Sequence, residues 1–296
     1  MGIGSLYVKM DAETGFALGG NKVRKLELEL APERVAGVTS LITAGGPQSN
    51  HCRVTAAYAA RHGMRCVLVT QGPEPEHPTG NALLHRLFGA EIVTVSDRAD
   101  RAPTMERIAE RITAEGGRPL VVPIGASTGL GSLGYALAAV ELTEQLSIVR
   151  DGRDETLLFV SASSCGTLAG LLLGLTLLGR ADVRLFGVSA DATRQALRST
   201  TLELASEGAR LLGTDVDLGI VPLELIDDQV GEGYGVPTAA STEALNMFAS
   251  LEGIVLDPTY TAKAAAGMLQ WVGDHGVGPS QRVVFLHTGG HPGLLA

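Results

Sequence analysis

The feature that most constrains this chain is an alternation that runs almost from end to end. Apolar, β-branched runs near Ser40–Thr43, Cys66–Thr70, Ile92–Val95 and Leu120–Ile124 are each followed by an Ala/Leu-rich helical stretch. A second series has its runs near Leu157–Ser161, Val183–Ser189, Leu223–Asp227 and Val283–His287. Strands that are apolar on both faces must be covered on both faces, so the pattern predicts βαβ units in an α/β protein with open, mostly parallel sheets flanked by helices. An amino-terminal strand at about Leu6–Met10 and a helix over Val23–Leu30, ending near Pro32, precede the first series. The polar break VRDGRDE, Val149–Glu155, separates the two series and reads as a domain boundary, and GEGYGVP, Gly231–Pro237, reads as a loop.

A chain of 296 residues has room for two such lobes with a cleft between them. Aromatic residues make up only 4% of it, so the interior must be filled by Ala, Val, Leu and Ile. A net charge of −9 without a dense Lys/Arg run gives no footprint for nucleic acid or an anionic membrane. Residues 1–15 hold no basic segment followed by an apolar one, and the longest apolar run, Leu168–Leu178, is broken by glycine; a soluble, cytoplasmic protein is expected. Cys52, Cys66 and Cys165, with no CxxC spacing, read as free thiols. His287 and His291 are surrounded by Gly289, Gly290 and Pro292, so no metal site is expected.

Parallel sheets place ligands beyond the carboxyl ends of their strands, and five segments there are unusual. GGNKVRK, from Gly19, sets Lys22 after a glycine turn with Arg24 and Lys25 beside it. It is either a solvated basic turn or a lysine whose pKa is lowered by burial and neighbouring charge, as a Schiff-base lysine requires. SASSCGTLAG, Ser161–Gly170, follows a strand and opens a helix, and serves either close packing or a phosphate at the helix amino terminus. In GGPQSNHCR, from Gly45, Ser49 either caps a helix or also meets a carboxylate, with Asn50 donating to a further polar group. The loops LDPTYT, from Leu256, and LHTGGHPG, from Leu286, complete the set.

Taken in order, GGNKVRKLE, GGPQSNHCR, PIGASTGLGSLGY, SSCGTLAGL, GEGYGVPT, LDPTYTAKA and HTGGHPGLLA resemble the D-cysteine desulfhydrase and 1-aminocyclopropane-1-carboxylate deaminase family over nearly the whole chain. The resemblance implies the two-domain tryptophan-synthase-β-like fold of type II pyridoxal-phosphate enzymes. On that fold the larger, cofactor-binding domain is residues 1–36 and 149–296, and the smaller α/β domain is 37–148. It implies that Lys22 carries pyridoxal 5'-phosphate as a Schiff base, that Ser164, Cys165, Gly166 and Thr167 bind its phosphate, that Asn50 faces its phenolic oxygen and that Thr261 approaches its pyridine nitrogen. Ser49 would meet the substrate carboxylate, with Asn50, His51, Tyr234, Tyr260 and Thr288 completing the substrate pocket, and Lys22, Ser49, Tyr234 and Tyr260 are the expected catalytic set. The deaminases carry Glu and Leu where this chain has Thr261 and Thr288, so the expected reaction is α,β-elimination from a small β-thiol amino acid, D-cysteine, to pyruvate, ammonia and hydrogen sulfide in a homodimer. L-Cysteate sulfo-lyase and aminocyclopropane carboxylate deaminase activities are the alternatives within the family. The chain departs from the family pattern in starting at Met1-Gly2 just before LYVKMD, in Met10-Asp11-Ala12, in Pro47 and in Ser164-Cys165.

Three readings of other classes compete. Gly129-Leu130-Gly131-Ser132-Leu133-Gly134 fits the GxGxxG of an NAD oxidoreductase, although its glycines do not follow a strand directly. Gly125-Ala126-Ser127-Thr128-Gly129 fits GxSxG, with Asp257 and His287 in hydrolase order, but Thr128–Gly131 is expected to remain a loop where a nucleophile elbow would enter its helix. The third is a non-catalytic ligand-binding protein on the same fold.

Overall fold

The computed structural model describes residues 6–149 and 151–296; Met1-Gly2, and Arg150 within the polar break, lie outside the described residues. In chain order the elements are β1 (Leu6–Met10), α1 (Asn21–Glu29), α2 (Pro32–Val35), β2 (Ser40–Gly45), α3 (Asn50–Arg61), β3 (Arg65–Gln71), α4 (Gly80–Leu87), β4 (Glu91–Val95), α5 (Arg101–Ala114), β5 (Pro119–Val121) and α6 (Gly129–Ile148). They continue as β6 (Glu155–Ala162), α7 (Gly166–Leu177), β7 (Val183–Ser189), α8 (Arg194–Leu211), β8 (Leu223–Ile226), α9 (Ala239–Glu252), α10 (Thr261–His275) and β9 (Gln281–His287). All described pairings are parallel, in two sheets ordered β1-β9-β6-β7-β8 and β4-β3-β2-β5. The central strands β2 and β6 are buried nearly throughout, as continuous apolar runs between two helical layers must be.

The expected amino-terminal strand and the strand at Val183–Ser189 have the bounds read from sequence. The run Leu120–Ile124 is shorter as a strand: Pro123 removes a ladder donor, and Ile124–Ala126 instead form a tight turn around Gly125 at φ 71°. Thr128–Gly131 is not a loop. The Thr128 hydroxyl accepts a hydrogen bond from the Gly131 N–H at 2.9 Å and starts α6. The glycines of GLGSLG are packing devices. A Cβ on Gly131 would stand 2.2 Å from the Ala126 carbonyl oxygen and one on Gly134 2.1 Å from that of Arg24, so only glycine lets α6 touch α1 this closely.

Helix α7 is apolar and buried nearly throughout, α6 carries Glu141, Glu144 and Gln145 beside its apolar residues, and the two lie against each other and against α1 and α8. Tyr135, Ala138, Ala139, Leu142 and Leu146 of α6 share one core with β6, α7 and β7, on the face of the larger sheet. A buried ionic knot locks α1 to that core. The Asp11 carboxylate, 1% exposed, accepts both guanidinium hydrogen bonds of Arg24 at 2.8 Å and the Tyr135 hydroxyl at 2.6 Å. Arg24 also donates to Glu141 at 2.9 Å, which holds that carboxyl down to about 2. The consequence is positional: the first turn of α1, and with it Lys22, is fixed against the larger lobe.

Candidate active site

Gly19 and Gly20, at φ 66° and 107°, turn the chain into α1; a Cβ on Gly19 would overlap the Ala12 carbonyl. Asn21 N–H then donates to the Thr288 carbonyl at 2.9 Å, which joins this turn to the end of β9. Lys22 therefore emerges into a cavity whose lining includes Asn50, Ser163, Ser164, Cys165, Thr167, Tyr260 and Thr288. Burial lowers its ammonium from 10.5 to about 8, so a sizeable neutral fraction exists near neutral pH. Lys25, one turn on, is fully buried, and burial together with Lys22 holds it well below the usual lysine range.

Opposite Lys22 the chain leaves β6 through Ser163-Ser164-Cys165 and enters α7. Cys165 adopts the left-handed conformation at φ 62° and, among the described residues, no side chain caps the helix; the Gly166 N–H donates to the Ser164 carbonyl at 2.9 Å, which leaves those of Thr167 and Leu168 to meet an anion. Lys25 Nζ donates to Ser127 Oγ at 3.0 Å, and Ser127 donates to Ser164 Oγ at 2.8 Å. A Cβ on Gly166 would meet Ser127 Oγ at 2.8 Å and Lys25 Nζ at 3.0 Å, so glycine keeps this cradle open. A helix amino terminus, two hydroxyls and a buried lysine with no carboxylate partner among the described residues are the donor set of a phosphate site. The residues present thus fit the phosphate of the expected cofactor.

The smaller lobe supplies the facing wall. Ser49 caps α3 through the Cys52 N–H at 3.2 Å and lines the adjoining cavity with Asn50, His51, Tyr234 and Tyr260. Asn50 Oδ1 accepts from Arg53 at 2.5 Å and from Asn81 at 2.9 Å, which leaves its NH2 group free to donate. Because Thr43 Oγ1 donates to the Val122 carbonyl, it accepts from His51 Nε2 at 2.8 Å, and the buried Nδ1 is left as an unpartnered acceptor. Burial and the two lysines hold His51 neutral. The Tyr234 and Tyr260 hydroxyls bond each other, their rings edge to face with centroids 5.8 Å apart. Burial raises both phenols, so they are proton donors at neutral pH.

The structure brings Lys22, Ser49, Asn50, His51, Ser164, Cys165, Gly166, Thr167, Tyr234, Tyr260 and Thr288 together. It does not bring Thr261. That residue is fully buried, and its hydroxyl donates to Asp257 Oδ1 and accepts from the Asp257 N–H, each at 2.7 Å. The hydroxyl facing the cavity is Thr288, 3.2 Å from Ser161 Oγ. Asp257 is consumed by the N–H groups of Thr259, Tyr260 and Thr261, and His287 bridges the Val255 carbonyl and the Gly289 N–H. Ser127, bonded to Lys25 and Ser164, therefore has no His–Asp relay.

Some residues of the site were not read from the sequence. Arg53, fully buried, donates to the Ala17 and Gly19 carbonyls at 2.8 and 2.6 Å as well as to Asn50, so it holds both the lysine turn and the Asn50 amide. An arginine inside the Ala-rich stretch NHCRVTAAYAA was the available signal. Arg98, Arg101 and Asp191 also line the cavity, and SDRADRAP offered no signal, since it reads as an ordinary solvated helix start.

A lysine at a glycine turn facing a phosphate cradle between two parallel α/β lobes defines a pyridoxal-phosphate enzyme of the tryptophan-synthase-β-like class. The family described as "Pyridoxal-phosphate dependent enzyme" matches residues 1–289, and the chain belongs to it. It is 40% identical to the D-cysteine desulfhydrase of Salmonella choleraesuis (strain SC-B67) over 298 residues, which cover 98% of this chain and 88% of that protein. The D-cysteine desulfhydrase of Salmonella paratyphi C (strain RKS4594) matches with the same identity and coverage. The crystal structure of an ACC deaminase homologue superposes with a TM-score of 0.87 at 35% identity, over 98% of this chain and 86% of that one.

Proposed function

We propose that this enzyme catalyses α,β-elimination from D-cysteine, giving pyruvate, ammonia and hydrogen sulfide. The observation that carries the reading is the half-buried Lys22 sharing one cavity with Ser164, Cys165 and Thr167 of the cradle and with Tyr260. Pyridoxal phosphate, held covalently at Lys22 and through its phosphate at the cradle, supplies an acceptor for the electron pair left on the substrate Cα. The remaining work falls to the chain. The α3 amino terminus with Ser49 takes the substrate carboxylate, and the NH2 group of Asn50, whose Oδ1 is held by Arg53 and Asn81, would help to hold the cofactor. Lys22 Nζ, with a pKa of about 8, accepts the α-proton. The paired Tyr234 and Tyr260 hydroxyls deliver a proton to the departing sulfur. Thr288, rather than Thr261, would be the hydroxyl that helps to hold the cofactor ring, and Thr261 instead secures the Asp257 turn next to Tyr260.

The same reading includes a homodimer in the cytoplasm and two domains. Because α6 shares its core with β6 and α7, we propose that the smaller domain starts at residue 37 and gives way to the larger at the start of α6 rather than at 148. Incubating the purified holoenzyme with D-cysteine should release sulfide and pyruvate in equal amounts. Keto acid from aminocyclopropane carboxylate, with none from either cysteine enantiomer, would move the protein to the deaminase branch.

A further inference from the structure

Lys263, in the first turn of α10, is a wholly buried charge with no part in the elimination itself. Its Nζ donates to the carbonyls of Val230 at 2.7 Å and Gly233 at 2.9 Å, and more weakly to that of Ala190 at 3.5 Å. Three acceptors match the three N–H groups of an ammonium, whereas a neutral amine has two. Among the described residues no carboxylate comes within 4 Å of it, so the charge sits in a cage of backbone carbonyls. Taking an ammonium out of water is expensive, and an apolar side chain would fill the same space at less cost. The cage therefore points to a task of position.

What the cage holds is the loop that carries Tyr234. Two of its three carbonyls come from that loop, and Gly233 immediately precedes the tyrosine. The connection from β8 to α9 contains no strand or helix, and Gly231, Gly233 and Gly235 take φ values of 63°, 143° and 78°. Within it the Val236 N–H donates to the Gly233 carbonyl at 3.3 Å. A segment with so little internal bonding keeps one conformation only when it is tied from outside. Lys263 ties it to the helix whose amino-terminal cap is Tyr260, the residue whose hydroxyl bonds that of Tyr234. Tyr260 and Lys263 are three residues apart and so neighbours on the first turn of α10. We propose that Lys263 is a positioning residue, a tethered cation whose carbonyl cage holds the Tyr234 hydroxyl against that of Tyr260 and so sets proton delivery to the departing sulfur. This rests on the elimination reading above.

The leaving group separates this role from a merely structural one. With D-cysteine the Cα–H proton goes to Lys22 Nζ, and the Cβ–S bond breaks with its electron pair leaving on sulfur. The hydrosulfide takes a proton from the tyrosine pair, which water then reprotonates, so that cysteine and one water give hydrogen sulfide, pyruvate and ammonium. Chloride is the anion of a strong acid and departs without a proton. A β-chloro amino acid and one water give chloride, pyruvate, ammonium and a free proton, with Lys22 still taking the α-proton and the tyrosines by-passed. Displacing Tyr234 should therefore slow the thiol substrate and spare the chloride one.

The test compares D-cysteine with β-chloro-D-alanine on the holoenzyme, on Lys263→Gln and on Lys263→Ala, with pyruvate measured and the bound cofactor followed by its absorbance. Lys263→Gln keeps two N–H donors without the charge, and Lys263→Ala opens the cage to a free cation. Both variants should keep the cofactor absorbance of the parent enzyme. In both, kcat for D-cysteine should fall about tenfold or more while kcat for β-chloro-D-alanine stays within about twofold. Added potassium chloride, whose cation is close to ammonium in size, should restore D-cysteine turnover in Lys263→Ala; tetramethylammonium chloride at equal ionic strength should not. If Lys263→Ala does not fold, the ratio of the two substrates on Lys263→Gln decides. Equal loss of both substrates with the cofactor still bound, or D-cysteine turnover unchanged in the variants, refutes the positioning role and leaves the elimination reading standing. Keto acid from neither substrate on the parent enzyme overturns the elimination reading and this proposal with it.

Discussion

At the scale of single residues, the decisive group is Lys22, and burial gives it a measurable signature. A lysine with its ordinary pKa of 10.5 is almost wholly protonated at pH 8, whereas at about 8 half of it is a neutral nucleophile. Capture of pyridoxal phosphate by the cofactor-free protein should therefore accelerate with rising pH and level off above about 8. Stopped-flow absorbance would check this, and a rate still climbing steeply at pH 10 would show that the lysine is not buried as described. The two threonines separate structure from chemistry in a similar way. Thr261→Val removes a hydroxyl from a fully satisfied buried turn and should cost roughly 1–3 kcal/mol in urea denaturation. Thr288→Val should leave stability nearly unchanged and alter the absorbance of the bound cofactor; the opposite pattern would restore Thr261 as the group at the ring nitrogen.

At the scale of elements, α1 and α7 aim the site, and each has one vulnerable contact. Asp11→Asn breaks the buried knot with Arg24 and Tyr135 and leaves a half-buried guanidinium without full compensation. A loss of about 3–5 kcal/mol is expected, read as a lower urea midpoint at constant slope. Gly166→Ala places a methyl in the cradle in front of α7 and should weaken cofactor binding at least tenfold while far-UV circular dichroism stays unchanged. The elements themselves were largely legible in the sequence, because a buried parallel strand is a run of Val, Leu and Ile and its helix is rich in Ala. The motif loops were legible too, each as a glycine turn with a polar residue at a strand end. Illegible were the contacts that cross between elements. The GLGSLG glycines look like a nucleotide fingerprint and instead admit α1, and the Thr261 hydroxyl looks available until Asp257 is seen to claim it. Nothing local in SDRADRAP says that Arg101 is buried and that Arg98 lies over the Tyr234 ring, since both depend on how distant segments fold together.

At the scale of the whole molecule, the cavity is walled by both lobes, with Lys22, Ser164 and Thr288 on one side and Ser49, Asn50 and His51 on the other. A ligand that bridges them binds only the folded form, so at a thousandfold excess over its dissociation constant pyridoxal phosphate should add about 4 kcal/mol of apparent stability. Differential scanning of the cofactor-free and loaded proteins would measure it, and equal melting temperatures would argue against a site shared by the lobes. The larger sheet carries a further consequence for biosynthesis. Its edge strand β1 lies alongside β9, pairing Leu6 with Val283 and Met10 with His287, so β1 leaves the ribosome long before the strand it pairs with. Until then β1 has no partner among the described strands and the Lys22 turn lacks the Thr288 carbonyl that anchors it. Such long-range closure is slow and leaves sticky intermediates, so nascent chains should acquire cofactor only once β9 has emerged and should depend on chaperones while they wait.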